Sequence, residues 1–465
     1  MMELKRLFDC LQYNLDRKPL EDMLAGKEGG QWKKYSTADV KNIVDNLSAG
    51  LLSMGVSCGD MSAEGRDKIA ILCKNRPEWV MLDLAVQQIG ALLVPLYPTI
   101  NVNELEYVLN DAQVKYVFVN DEDLYLKVFS LKDKVPNLKD IFTFEHVPNA
   151  KHWKEVTSLS TPELINKIKP IADGIKYEDL VTIIYTSGTT GKPKGVMLSH
   201  RNILSNVIDS LPCFPPGDDM RSLSFLPLNH IFERTVLYIY LNKGVSVFFA
   251  EGFETIGQDL KDVRPVVFTT VPRLLEKVFE KIDAKGNSLK GIQLWLFTWA
   301  MNIALQFDID RKPSLWYSIQ HRIADYLVFK KWRDAIGGKI KAIVTGSAAC
   351  QVKLLRLFTA ANIVVMEGYG LTETSPVISV NRYNPKKRKF GTVGVVINEM
   401  QVRLGDDGEI ICKGPNVMMG YYKHPEWTNE VMKEGWFHTG DIGQFVDDKF
   451  LKITDRKKEI FKINF

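Results

Sequence analysis

Cysteine is scarce in this chain, charge of either sign is nearly balanced, and no long uninterrupted hydrophobic run occurs. The six cysteines among 465 residues, at positions 10, 58, 73, 213, 350 and 412, show no metal-ligand spacing. They are too sparse for a disulfide frame, so free thiols in a reducing compartment are expected. Sixty Lys and Arg stand against 56 Asp and Glu, a net charge of +4 that is too small to suggest nucleic acid as a partner. The most apolar stretch near the front, Trp79 to Leu96, is interrupted by Asp83, Gln87 and Gln88, which argues against a spanning helix. The opening residues, Met1-Met-Glu-Leu-Lys-Arg-Leu, lack a cleavable signal pattern. A cytoplasmic location is therefore expected, with peripheral contact to the inner face of a membrane left open. An apolar content of 45% and 9 Trp, 23 Phe and 16 Tyr exclude disorder, collagen and coiled coil.

Short apolar segments at 68–73, 91–96 and 116–119 alternate with helical patterns that begin at Ser36, Pro77 and Asn103. Alternation of this kind marks an α/β unit with a mainly parallel sheet. Residues 1–178 are read as a first α/β lobe, with an opening arm and with peripheral helices and loops over 120–178. Residues 179–389 are read as a second α/β lobe. After about 390, glycine turns and short apolar segments suggest a small β-barrel-like subdomain over 390–454.

The chemical signal is concentrated after Val181. The segment Thr186-Ser-Gly-Thr-Thr-Gly-Lys-Pro-Lys-Gly195 holds three glycines, four hydroxyls and two lysines behind a predicted strand. Glycines let backbone N–H groups converge, hydroxyls add donors, and Lys192 and Lys194 add positive charge, a combination suited to a polyphosphate. The spacing is not that of a Walker loop.

This segment resembles the signature of the adenylate-forming ligases, which include the acyl-CoA synthetases. Further matching segments follow in order: Leu226-Pro-Leu-Asn-His-Ile-Phe-Glu-Arg234, Thr345-Gly-Ser-Ala-Ala349, Glu367-Gly-Tyr-Gly-Leu-Thr-Glu373, Trp436-Phe-His-Thr-Gly-Asp441 and Ile453-Thr-Asp-Arg-Lys-Lys-Glu459. The resemblance implies that Thr186, Ser187, Gly188, Thr189, Thr190, Gly191 and Lys192 hold the β- and γ-phosphates of ATP. Gly346, Ser347 and Ala348 would line one side of adenine, and Glu367, Gly368, Tyr369 and Gly370 the other, with Tyr369 stacking on the base. Thr372 would bond the α-phosphate and Glu373 would help bind Mg²⁺. Asp441 would accept from the ribose hydroxyls, with Arg456 as their second contact and Lys458 as a domain hinge. These roles fit the chemistry of the side chains: a carboxylate beside a triphosphate needs a divalent metal between them, and an ionised Asp only accepts, as a diol requires.

The implied reaction forms acyl-AMP and pyrophosphate from a carboxylate and ATP, and then a thioester with coenzyme A. The Leu226–Thr235 segment resembles the long-chain fatty acyl-CoA version of its motif, placing His230 near the carboxylate and Glu233–Arg234 as a structural ion pair. Ile292 to Ala300 and the stretch to Trp332 resemble a helical insertion of long-chain members. Trp295, Phe297 and Trp299 alternate as in a strand or extended wall, and either line an alkyl channel or belong to the core. The basic run Lys386–Lys389 reads as a solvated loop, with coenzyme A phosphates or anionic lipid as alternatives. Family members continue beyond the hinge into a mobile C-terminal domain. Residues 455–465 are therefore read as the hinge and the start of that domain, and this chain as a truncated form with weak adenylation and little thioester formation. Two alternative readings stay open: an adenylating ligase for another carboxylic acid or a carrier protein, and a non-catalytic nucleotide- or acyl-binding module. Neither oligomeric state nor chain-length preference is legible.

Overall fold

The computed structural model describes residues 4–187, 191–217 and 219–457. Two mixed sheets organise it. The first has eight strands in the order Gly420–Tyr421, Lys194–Ser199, Leu180–Thr186, Leu92–Leu96, Lys68–Leu72, Val114–Val119, Asp140–Thr143 and Lys151–His152. The six from Leu180–Thr186 onward run parallel, and the other two are antiparallel additions. Lys68–Leu72 and Leu92–Leu96 are buried throughout, as expected for parallel strands covered on both faces.

The helices begin where local chemistry favours it. Ser36 caps Thr37–Ser53 in a reciprocal box with Asp39, Pro77 opens Pro77–Gln88, and Asn101 caps Val102–Asp111. Every residue of Pro77–Gln88 is buried, so its polar side chains must find partners inside the protein.

The second sheet has a parallel half and an antiparallel half. Leu24–Glu28, Ser246–Phe249, Arg221–Ser224, Val267–Thr270, Ala342–Thr345 and Val364–Gly370 lie side by side in parallel, with Gln31–Tyr35 added antiparallel at one edge. The opening arm therefore contains a hairpin, and the 120–178 stretch contributes two strands to the first sheet. The sheets also cut across the sequence divisions: 180–199 pairs with the first lobe's strands and 24–35 with the second's.

Val364–Gly370 is the pivot. Its first four residues pair in parallel with Ala342–Thr345, and its last three pair antiparallel with Val377–Val380. From there the sheet continues antiparallel through Val395–Val396, Phe450–Arg456, Trp436–Val446, Glu409–Lys413 and Gln401–Leu404. These strands, anticipated as barrel-like, form an open run: among the described residues Gln401–Leu404 is an edge, and the ladder does not close.

The expected insertion is helical except for the connection 306–314. Gly291–Leu305 and Leu315–Ala324 form a helix hairpin that continues to Ala335. Trp295, Phe297 and Trp299 thus lie on a helix and not on an extended wall. Phe297 is buried, while Trp295 stacks on Trp299, one turn away, at the surface. The local residues, Leu, Trp, Phe, Met and Ala without a Gly or Pro break, favour a helix, and their alternation over five positions is too short to oppose it. Among the described residues no helix is long and apolar enough to cross a membrane, and the six cysteines are free.

Candidate functional site

The parallel strands of both sheets end at one region of the molecule, and the motif residues cluster at those ends, where ligands bind in open α/β sheets. In the second sheet Thr345 lies opposite Glu367. The loop that follows Thr345 and the continuation of Val364–Gly370 therefore face each other. Between them lies a cavity of about 520 Å³, lined by Ser347, Ala348, Glu367, Gly368, Tyr369, Gly370, Asp441 and Arg456 among others. Gly346 is not among its lining residues; a Cβ there would lie 3.5 Å from the Gly368 carbonyl oxygen. Ser347 holds a left-handed backbone (φ 67°), a conformation rare outside glycine.

The pivot strand shapes this cavity by backbone means. Its pairing register shifts between Tyr369 and Gly370. A Cβ at Gly370 would lie 1.7 Å from the Pro376 carbonyl oxygen, so only glycine lets the chain pass there. Glu367 is buried and accepts from the Cys350 backbone N–H at 2.8 Å. Burial, only partly offset by that hydrogen bond, pushes its carboxyl up to about 7.

Asp441 and Arg456 are direct cross-strand partners. Arg456 Nε donates to Asp441 Oδ1 at 3.0 Å, and the Tyr369 hydroxyl donates to Asp441 Oδ2 at 2.7 Å. Burial first, and then the Asp441 carboxylate, push the Tyr369 phenol above its ordinary value. The aromatic residue expected to stack on a base is thus also a tether for the carboxylate expected to meet a sugar.

A second cavity of about 420 Å³ adjoins along the chain. It is lined by Thr186, Ser187, His230 and Thr372, with Tyr97, Thr99 and Tyr185. Thr186 ends the strand Leu180–Thr186 and pairs with Lys194. Gly188, Thr189, Thr190 and Lys458 lie outside the described residues. Lys192 is exposed, with its ammonium over the Tyr107 ring, and Lys194 lies over Trp427 at 4.8 Å. His230 is the N-cap of Ile231–Lys243, its Nδ1 accepting from the Phe232 N–H at 3.1 Å. That bond fixes Nδ1 as an acceptor, and burial lowers the pKa of the ring, so a neutral imidazole faces the cavity.

Glu373 joins the two sheets. The Tyr421 hydroxyl donates to Glu373 Oε1 at 2.8 Å, and the Met418 N–H donates to the Glu373 carbonyl at 2.8 Å. Tyr421 pairs with Val196 in the strand Lys194–Ser199. Glu373 is therefore held from the first sheet while it follows directly from the pivot strand of the second. Tyr421 was not evident from sequence, because no motif marked it and its partner is 48 residues away.

Glu233 and Arg234 are not paired with each other. Arg234 makes a bidentate pair with Asp83 (Nη2–Oδ1 2.5 Å, Nε–Oδ2 3.0 Å), and its Nη1 donates to Thr182 at 2.8 Å. Tyr238 and Gln87 donate to the same carboxylate. Glu233 instead accepts from Ser224 at 2.6 Å and from the Thr269 hydroxyl. Burial pushes its carboxyl up to about 7. Adjacent helical residues point about 100° apart, so neighbours in sequence reach different partners. The basic run also departs from a solvated loop: Lys386 and Lys387 are exposed, but Arg388 is buried against the Arg382 and Tyr383 carbonyls, and Lys389 pairs with Asp310 and Asp447.

Comparison with known proteins supports the same reading. The family model for AMP-binding enzymes matches residues 11–422. Long-chain-fatty-acid–CoA ligase FadD15 of Mycobacterium bovis is 32% identical over 439 residues, covering 93% of this chain and 71% of the relative. Long-chain-fatty-acid–CoA ligase 5 of Mus musculus is 36% identical over 484 residues, covering 98% and 67%. Against human long-chain-fatty-acid–CoA ligase 1, also 36% identical, the match spans 59% of the relative's length. The inhibitor-bound N-terminal domain of FACL13 from Mycobacterium tuberculosis shares the fold, with a TM-score of 0.74 over 97% of this chain and 100% of that one at 21% identity. With its family model matching residues 11–422, and with relatives above 30% identity aligned along most of its length, this chain belongs to the AMP-binding enzymes, the adenylate-forming acyl-CoA ligases.

Proposed function

We propose that this chain binds ATP across the two adjoining cavities and activates a long-chain fatty acid to acyl-AMP, with coenzyme A as the thiol acceptor in the second half-reaction. The observation that carries the proposal is the continuity of Tyr369 to Glu373. Tyr369 and Gly370 line one cavity and Thr372 lines the other. A nucleotide laid along that segment would set its base between Gly346–Ala348 and Glu367–Gly370, and its ribose against Asp441 and Arg456. Its phosphates would reach Thr372, Thr186, Ser187 and the glycines and lysines of 188–194.

The chemistry of each position suits its role. The Asp441 carboxylate has acceptor capacity beyond the two donors it meets, so ribose hydroxyls can join or replace them. Thr186, Ser187 and Thr372 offer hydroxyl donors, and Lys192 offers a charge that screens developing phosphate oxyanions. The neutral His230 can donate through Nε2 to a carboxylate without itself gaining charge. Positioning the acyl carboxylate in line with the α-phosphorus is the main task left to the protein.

Glu373 fits Mg²⁺. It is a hard oxygen donor, oriented by Tyr421 through one carboxylate oxygen. Magnesium is commonly held by one or two carboxylates together with substrate phosphates. Bound there, the ion would act as a Lewis acid on phosphate oxygens.

Support for a long-chain substrate comes from relatives named as long-chain-fatty-acid–CoA ligases at 32–36% identity. The test is ATP–pyrophosphate exchange with palmitate, acetate, benzoate and amino acids in parallel. Exchange above background is expected with palmitate, and less with the other acids. Exchange with benzoate or an amino acid but none with palmitate would overturn the long-chain reading, and ATP binding without exchange on any acid would overturn the catalytic one.

A further inference from the structure

We infer that Asn75 and Asn229 are positioning residues that set the His230 imidazole in its cavity, each holding the other's segment across the two sheets. The inference rests on the reading that His230 faces the acyl carboxylate. Residues 225–230 join the strand Arg221–Ser224 of the second sheet to the helix Ile231–Lys243, which His230 caps. Within that loop the His230 N–H donates to the Pro227 carbonyl at 3.0 Å. Further grips come from residues 73–79, which follow the strand Lys68–Leu72 of the first sheet and open the helix Pro77–Gln88.

One side-chain amide serves the loop twice. Asn75 Nδ2 donates to the Leu226 carbonyl at 2.6 Å, and Asn75 Oδ1 accepts from the Leu228 N–H at 3.0 Å. The side chain stands in for a strand partner and meets a backbone carbonyl and N–H of the turn. The same Nδ2 donates to the Ser224 hydroxyl at 3.1 Å, and that hydroxyl donates to Glu233 at 2.6 Å, in the first turn of the helix that His230 caps. Asn75 therefore touches the strand before the loop, the loop itself and, through Ser224, the helix after it. Asn229 returns the arrangement. Its Oδ1 accepts from the Trp79 indole N–H at 3.0 Å, and its Nδ2 donates to the Cys73 carbonyl at 3.3 Å. Asn229 and Trp79 are both buried, so losing either partner strands a polar group away from water.

The cavity takes Thr186 from the first sheet and His230 from the loop of the second, so its width depends on how the two sheets are joined. Asp83 and Arg234 join them one helical turn beyond His230. The two asparagines hold the loop itself, and with it the direction in which the imidazole enters. Neither asparagine lines the cavity, so each acts through the loop and not on a substrate. A reacting group misplaced by about 1 Å can cost on the order of 100-fold in rate, which makes such a clamp felt in turnover more than in folding. Sequence gave no sign of it. Asn229 stands beside His230 in the motif, but its partners are 150 and 156 residues away.

The test compares the unaltered chain with Asn75→Ala, Asn229→Ala and His230→Ala, and with each asparagine change combined with His230→Ala. In ATP–pyrophosphate exchange each asparagine variant should lose about 10-fold or more of kcat/KM for palmitate. Calorimetric affinity for Mg²⁺–ATP should stay within about 2-fold, because Tyr369, Asp441 and Arg456 lie on strands that the clamp does not touch. In the His230→Ala background the same changes should cost less than about 2-fold, since the residue they position is gone. An undiminished loss in that background, an equal loss of ATP affinity, or an unchanged kcat/KM would overturn the proposal. A second readout needs no turnover. Nitrogen NMR of the histidine-labelled chain, with the His230 signals identified by their absence from His230→Ala, should show one neutral tautomer with Nδ1 unprotonated. Each asparagine variant should show a mixture of tautomers. Unchanged His230 signals in both variants would overturn the proposal whether or not exchange is seen. Altered signals, with no exchange on any acid by the unaltered chain, would uphold the positioning and overturn the ligase reading alone. Asn75 is half-buried, so its variant carries the test if Asn229→Ala melts early.

Discussion

Two aspartate–arginine pairs in this protein have the same chemistry and opposite settings. Asp83 and Arg234 are both fully buried, and their charges are met by Tyr238, Gln87 and Thr182 as well as by each other. Asp441 and Arg456 lie at the mouth of a cavity: the Asp441 side chain is 6% exposed and that of Arg456 65%. The first pair connects Ile231–Lys243 to Pro77–Gln88 and to Leu180–Thr186, and so fixes His230 relative to Thr186. The second connects two neighbouring strands that are already hydrogen bonded. A buried, fully engaged pair holds geometry, whereas a pair with one free partner can exchange that partner for a ligand.

This contrast predicts separable losses. Asp83→Ala should cost about 3–5 kcal/mol of stability, because it leaves the Arg234 guanidinium buried without its counter-charge. Denaturant unfolding measures this, and a cost near zero would mean that the pair does not hold the lobes.

Glu233 extends the comparison, since it is as deeply buried as Arg234 but faces hydroxyls where Arg234 faces a carboxylate. Its carboxyl is raised to about 7 in the fold, against 4.5 in the unfolded chain. Its share of stability is therefore intact below pH 4.5 and is lost as pH rises toward 7. Over that window Glu233→Gln should flatten the fall in stability by an amount on the order of 3 kcal/mol. Thermal melts of both proteins from pH 5 to pH 8 read the difference, and parallel profiles would contradict the assigned environment.

At the cavity mouth the pattern should reverse. Asp441→Asn should weaken ATP binding about 10-fold, or ~1.4 kcal/mol, with little change in the melting temperature. Arg456→Ala should have the smallest effect on folding, within about 1 kcal/mol, as expected for a largely exposed partner.

The sequence announced the cavity mouth and concealed the buried pair, for physical reasons. Asp441 and Arg456 sit in segments where hydroxyl, glycine and charged residues stand close together and mark a motif by themselves. The strand Leu180–Thr186, the Ser36 cap and the helix at Pro77 follow from local pattern, and all formed close to where it placed them. Asp83 looked like an interruption in an apolar stretch, because its partner is 151 residues away and nothing local reports it. Glu233–Arg234 looked like a pair because adjacency in sequence suggested contact, which helical geometry then denied. Tyr421, which holds Glu373, was hidden for the same reason as Asp83. The exposed hairpin face was hidden by composition, since an exposed apolar stripe and a core-facing stripe read alike until the rest of the fold is in place.

The central claim is that one nucleotide spans both cavities along Tyr369 to Glu373. Calorimetric titration of Mg²⁺–ATP into the unaltered chain, into Asp441→Asn and into Thr186→Ala tests it most directly, because these residues line different cavities. Saturable binding at a single site, weakened by both substitutions in proteins that melt normally, is the predicted result. Undiminished ATP affinity in either variant would contradict a single shared site.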